Sequence, residues 1–367
     1  MRKMHLTLQR YLFPFLAMTL IIVSACRKDP SIPIATTTPY LIDYPEIISN
    51  HIPPINIPPN NPMTNEGVEL GRKLFFEERL SGNNTQSCGS CHIPSASFSD
   101  TTAFSKGIDG LYGNRNTMPL INLGWMNTLF WDGRSNTLES QALGPVTNPV
   151  EMHDAWPNVA NKLQADPLYP ILFEQVFGTT EIDSVLVTRA LSQFMRTLIS
   201  GNAPFDKYLL TGNSGWNATD QQAAYDGFTI FMDESKGDCF HCHGDSFNPL
   251  WTDNVFHNNG LDASFADNGR GVVTGNSFDN GKFKTPTLRN LVFTKPYMHD
   301  GRFNTLQEVI SHYSQGLQSS PTIDPLMKHL GTGGSQMNPG DKYKLFMFLV
   351  SLSDSTFVTN PAFQDPG

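Results

Sequence analysis

The chain has 367 residues, with 29 Gly, 26 Pro and only 16% charged residues, which describes a loop-rich globular protein long enough for two domains of ordinary size. Its net charge of −9 and the lack of any Lys/Arg cluster argue against nucleic acid as a partner. Five cysteines stand at 26, 88, 91, 239 and 242, and four of them fall into two C-x-x-C-H motifs, so a disulfide scaffold is excluded.

Residues 1–10 carry Arg2, Lys3 and Arg10, and residues 11–25 are almost wholly apolar. A basic start and a short apolar run predict a secretory signal peptide over 1–25, too short to read as a membrane span. The end, Val23-Ser24-Ala25-Cys26, resembles a bacterial lipobox. Cys26 would then be acylated and hold the protein to a membrane surface in the periplasm or cell envelope. Residues 26–62 are rich in proline, as in Ile52-Pro53-Pro54 and Ile57-Pro58-Pro59, and predict an extended tether.

Thr64 opens a helical pattern with Val68, Gly71, Leu74 and Phe75 on one face, and a polar loop then leads to Cys88-Gly-Ser-Cys91-His92. Thr219 opens a second pattern, with Gln222 completing a capping box and Ala224, Phe228 and Phe231 on one face. Another polar loop leads to Cys239-Phe-His-Cys242-His243. Further helices are predicted at 182–200, 305–313 and 341–352. Strand signals are few and short. The expected fold is mostly α, with two cytochrome c-like haem domains at 63–205 and 206–360 that join near 201–217.

Two thiols at this spacing can each add to one vinyl group of a haem, with the next histidine beneath the iron. A redox dithiol would lack that histidine and sit in a βαβ context, and a zinc site would need two pairs close together. Chance predicts roughly 0.002 such motifs in this composition, and there are two. The expected cofactors are therefore two covalent haems c. An iron with two protein ligands carries electrons, while an open one does chemistry. For the first haem, the sixth ligand is Met118, Met126, Met152 or nothing. For the second, the candidates are Met298, His299, His312, Tyr313 and Met327.

The runs Phe130-Trp131-Asp132-Gly133-Arg134, Leu138-Glu139-Ser140-Gln141-Ala142-Leu143-Gly144-Pro145 and Asn148-Pro149-Val150-Glu151-Met152 resemble the bacterial dihaem cytochrome c peroxidase family, which includes MauG. Lys284-Thr285-Pro286-Thr287-Leu288-Arg289-Asn290 and Pro296-Tyr297-Met298-His299-Asp300-Gly301 extend the likeness over about residues 63–355. The resemblance implies that His92 binds a peroxidatic haem and His243 an electron-transfer haem. Trp131 would relay electrons between them, and Gln141, Pro145 and Glu151 would stand over the first iron. It also implies a calcium ion held by Asn116, Thr294 and Pro296, hydrogen peroxide as substrate, a small c-type cytochrome or similar redox protein as donor, and a homodimer.

Two departures from the family pattern are visible. Many members place a ligating histidine in the loop that here reads Lys106-Gly107-Ile108-Asp109-Gly110, and Ile108 cannot bind iron. The methionine ligand of the second haem is replaced by Tyr313, as in MauG-like members, with Met298 as the alternative. These departures favour a second reading, an oxidase that uses peroxide to oxidise a protein or organic substrate. A non-enzymatic dihaem electron carrier is the third, and Gln141 and Glu151 argue against it.

Overall fold

The computed structural model describes residues 37–367, which form one mostly helical unit; the signal peptide and Cys26 lie outside the described residues. The main helices are α1 (Asn65–Phe75), α2 (Leu138–Thr147), α3 (Ser184–Arg196), α4 (Ala218–Met232), α5 (Leu306–Gln315) and α6 (Pro339–Ser351). Two residues each of β1 (Phe256–His257) and β2 (Phe283–Lys284) pair antiparallel, with Phe256 opposite Lys284. No helix among the described residues is long and apolar enough to cross a membrane.

Helix starts follow capping chemistry. Thr64 accepts the Gly67 N–H at 3.0 Å, and Thr305 and Glu308 form the capping box of α5. The expectation at Thr219 is corrected. Asn217 is the cap, accepting the Asp220 N–H at 3.0 Å, and Gln222 instead reaches Asp226 at 2.7 Å. Asn217 starts the helix earlier because its amide oxygen satisfies a free N–H of the first turn.

The tether is corrected as well. From residue 38 the proline-rich segment lies on the body, because it carries apolar residues that bury. Tyr40 N–H donates to Met63 O at 3.1 Å, the short helix Glu46–Ser49 buries Ile47 and Ile48, and Trp125 Nε1 donates to Pro53 O at 2.8 Å.

Two main apolar cores form, apart from a small cluster of Ile47, Ile48 and Leu250. One gathers Leu70, Leu74 and Phe75 of α1 with Leu191 and Phe194 of α3, and Phe357 and Phe363 from the end of the chain. The other gathers Phe231 of α4 and Phe348 of α6 with Phe205 and Trp251. Each core holds one close helix crossing. A Cβ on Gly71 would lie 1.9 Å from Ala190 O, and a Cβ on Gly227 would lie 1.9 Å from Lys344 O. Both obstacles are backbone, so neither can step aside.

A repeat links the halves. Asn122, Phe130, Gly133 and Thr137 correspond to Asn290, Met298, Gly301 and Thr305, each pair 168 residues apart. The first three pairs share left-handed backbone, at φ 56° and 63°, 67° and 76°, and 68° and 65°. The threonines cap α2 and α5. Buried polar groups stitch the halves together. Asn290 Nδ2 donates to Ser97 Oγ at 2.9 Å across them, and within the second half the Arg289 guanidinium binds Asp206 through two nitrogens at 2.8 and 2.9 Å.

Gly227→Ala should overpack the α4–α6 crossing and destabilise the protein by about 2 kcal/mol or more, read as a lower denaturant midpoint. A midpoint unchanged from the parent would show that the crossing has slack.

Candidate active site

Each C-x-x-C-H forms a single helical turn at the edge of a cavity. Cys88, Cys91 and His92 line a cavity of about 430 Å³, and Cys239, Cys242 and His243 line one of about 210 Å³. The His92 ring donates from Nδ1 to Phe98 O at 2.8 Å, and the His243 ring donates from Nδ1 to Trp251 O at 3.3 Å. A carbonyl can only accept, so Nε2 of both rings is left with its lone pair, the form that ligates a metal. Burial holds both imidazoles neutral, lowering His243 to about 4.

Burial also pushes the thiols up, to about 12 for Cys88, Cys239 and Cys242 and about 11 for Cys91. Such thiols are poor redox dithiols. Cys242 lies close to Asp253 and His257, yet both His257 nitrogens are taken, by Asp253 at 2.8 Å and Asp324 at 2.6 Å. These residues therefore fit haem attachment better than zinc.

Gln141 and Pro145, on α2, line the first cavity with Trp131 and Glu151. Met118, Met126 and Met152 line it too. Asn148 Nδ2 donates to Glu151 Oε1 at 2.6 Å. Burial raises the Glu151 pKa nonetheless, against the pull of Asn148 and the Arg134 charge. The loop after the first motif grips this segment from outside. Ile108 N–H donates to Glu151 O at 3.0 Å, and Asp109 pairs with His153. Gly107 packs so tightly that a Cβ would lie 2.4 Å from Val150 O. Lys106 and Gly107 border the cavity, and Ile108 is not among its lining residues.

Tyr313, Met298, Met327 and His299 line the second cavity. His299 lies flat on Phe283, with ring centroids 3.7 Å apart, and His312 turns away to Asn259 O at 3.3 Å. Asn259 was not visible as a site residue in the sequence. Its Nδ2 donates to Tyr313 Oη at 3.0 Å and sits 3.7 Å from Met298 Sδ. Burial pushes the Tyr313 phenol up to about 12. The repeat adds an alignment: Pro145 stands eight residues after the Thr137 cap, and Tyr313 stands eight after the Thr305 cap.

Trp131, Asn116, Pro119 and residues 284–287 border both cavities. Trp131 Nε1 donates to Asn116 O at 2.8 Å, and Asn116 N–H donates to His299 O at 2.7 Å. Asn116, Thr294 and Pro296 all line the second cavity.

Comparison with known proteins agrees with this geometry. The family described as di-haem cytochrome c peroxidase matches residues 65–214. The methylamine utilization protein MauG of Methylorubrum extorquens is 39% identical over 300 residues, covering 80% of each chain. Cytochrome-c peroxidase IdrP1 of Pseudomonas sp. (strain SCT) is 32% identical over 336 residues, covering 83% of this chain and 85% of that protein. A solved MauG-like protein associated with microbial copper homeostasis superposes with a TM-score of 0.79 at 31% identity, over 89% of this chain and 99% of that one. With two C-x-x-C-H cavities meeting at one tryptophan wall, and relatives matched over most of their length, the chain belongs to the di-haem cytochrome c peroxidase family.

Proposed function

We propose that the chain reduces hydrogen peroxide to water at the first cavity, with electrons entering through the second from a small c-type cytochrome or similar donor. The observation that carries this reading is a half-buried carboxyl, Glu151, with a raised pKa in the wall of the cavity that holds His92. Cys88, Cys91 and His92 would hold a haem, which would supply the electrons that break the O–O bond. Glu151 takes a proton from one peroxide oxygen and returns it to the departing one, and solvent supplies two more as two waters form. Asn148 fixes the carboxyl, and burial keeps its affinity for a proton high enough for both transfers. Gln141 orients peroxide, and Pro145 closes α2 over the cavity without offering a ligand. Trp131 is the path between the cavities.

Tyr313 favours a second reading, a MauG-like oxidase acting on a protein or organic substrate. A phenolate ligand stabilises oxidised iron, and the alignment of Tyr313 with Pro145 supports a ligand over the second haem and none over the first. We also assign calcium to Asn116, Thr294 and Pro296, whose amide and carbonyl oxygens suit a hard cation. The two halves, 63–205 and 206–360, would each carry one haem. A lipid on Cys26 would anchor the protein in the periplasm or cell envelope, and a homodimer follows the family pattern.

One mixing experiment separates the readings. Peroxide added to the diferric protein, with both Soret bands followed and reduced cytochrome c then supplied, should give rapid turnover. A long-lived oxidised state with negligible turnover would support the oxidase, and no reaction would support a carrier.

Glu151→Gln should slow the bimolecular reaction with peroxide by roughly 10² to 10⁴. The base must be ionised, so the parent rate should fall as pH falls through the raised Glu151 pKa, with an acid limb above the ordinary glutamate range. A Gln variant with the parental rate and limb would remove Glu151 from the chemistry. Tyr313→Phe should alter the spectrum of the second haem and leave a high-spin first haem unchanged. A low-spin first haem at rest, or an unaltered second haem, would sink these assignments.

A further inference from the structure

Lys284 is a buried cation that the proposed chemistry leaves unused. It lies at the end of β2, with 4% of its surface exposed, in the wall that borders both cavities. Its N–H donates to Trp131 O at 2.8 Å, so its backbone is tied to the same wall as the indole. The ammonium has three donors, and one goes to Thr128 O at 2.6 Å. Among the described residues no carboxylate lies within ion-pair distance of it.

The neighbouring cations differ. Arg115, in the wall of the first cavity, is spent on Asp132 at 2.6 Å and Asp267 at 2.6 Å, and Arg134 is held by Asp132 at 3.1 Å. Lys328, at the second cavity, pairs with Glu234 at 2.8 Å. Among the described residues, Lys284 alone is a deeply buried cation without a counter-ion. Burial, with nothing to offset it, lowers its pKa to about 8. A buried ammonium left in that state is strongly unfavourable, so an anion is expected to complete the site.

The chemistry of that anion follows from the neighbours. Each cavity takes a haem c through its thiols and histidine, and each haem carries two carboxylate arms. We propose that the Lys284 ammonium is the counter-charge for haem carboxylates at the wall shared by the two cavities, and that it thereby holds the haem potentials up. A positive neighbour favours the ferrous state, which carries one more electron, over the ferric. Lys284 is then a positioning residue that acts through the cofactor.

The test is a potentiometric titration of the holoprotein, followed at both Soret bands, in Lys284→Met and Lys284→Arg. The Met variant should show a lower midpoint for at least one haem, and the Arg variant should stay near the parent. Attachment of both haems in Arg but not in Met would equally support a requirement for charge. Parental midpoints for both haems in Lys284→Met would overturn the proposal. So would equal loss of haem in the two variants, since shape rather than charge would then be what the site needs.

Discussion

The arrangement depends on holding Trp131 in a wall common to both cavities. Its indole N–H is fixed by Asn116 O, its carbonyl receives the Lys284 N–H, and Asn116 in turn holds His299 O. These bonds join the loops of Asn116, Trp131 and His299 to the end of β2, and none belongs to a helix. The long loops therefore have a structural purpose. Helices α1 with α3 and α4 with α6 build two rigid supports, and the loops carried on them meet at the tryptophan. The close crossings at Gly71 and Gly227 bring the helix backbones together, which leaves the space beside the motifs for a flat cofactor.

The repeat shows how one scaffold yields two different sites. Both halves keep the left-handed turn and the threonine-capped helix that follows it. They differ where the helix faces its cavity. The first half carries Pro145, which has no ligand atom, and adds Glu151 in the next loop. The second carries Tyr313, with Asn259 bonded to its hydroxyl. Divergence at one helical position thus accounts for an open iron on one side and a closed one on the other under the proposed reading.

Much of this was legible in the sequence because it is local. The motifs declare their chemistry by spacing, and the α1, α3, α5 and α6 patterns follow 3.6-residue periodicity with ends displaced by a few residues. The start of α4 was misplaced because Asn217 and Thr219 both have capping side chains, and only the backbone shows which one accepts. Composition reports the stiffness of the proline-rich segment and not the burial of Ile47 and Ile48. Asn259 and the grip of Gly107 on the Glu151 segment are contacts between distant parts of the chain, so no local pattern announces them. Lys284 stands in the Lys284–Asn290 run, but its lack of an ion pair among the described residues is a property of the packed wall.

Burial decides which of these groups bear charge. It keeps His92 and His243 neutral and the four thiols protonated, so each motif meets its cofactor in the form that bonds without a buried ion. Arg115 has Asp132 as an ionic partner. Among the described residues neither Glu151 nor Lys284 forms an ion pair, and burial pushes each toward its neutral form, the acid upward and the base downward. Under the proposed reading that bias is useful at Glu151, since a group that must both accept and release a proton works best when neither form is strongly preferred. For Lys284 it can be relieved by an anion at the wall, and a carboxylate-bearing cofactor on either side supplies one. The same desolvation therefore does opposite things at two neighbouring sites: it readies one group to exchange its proton and makes the other depend on a bound anion to keep its own.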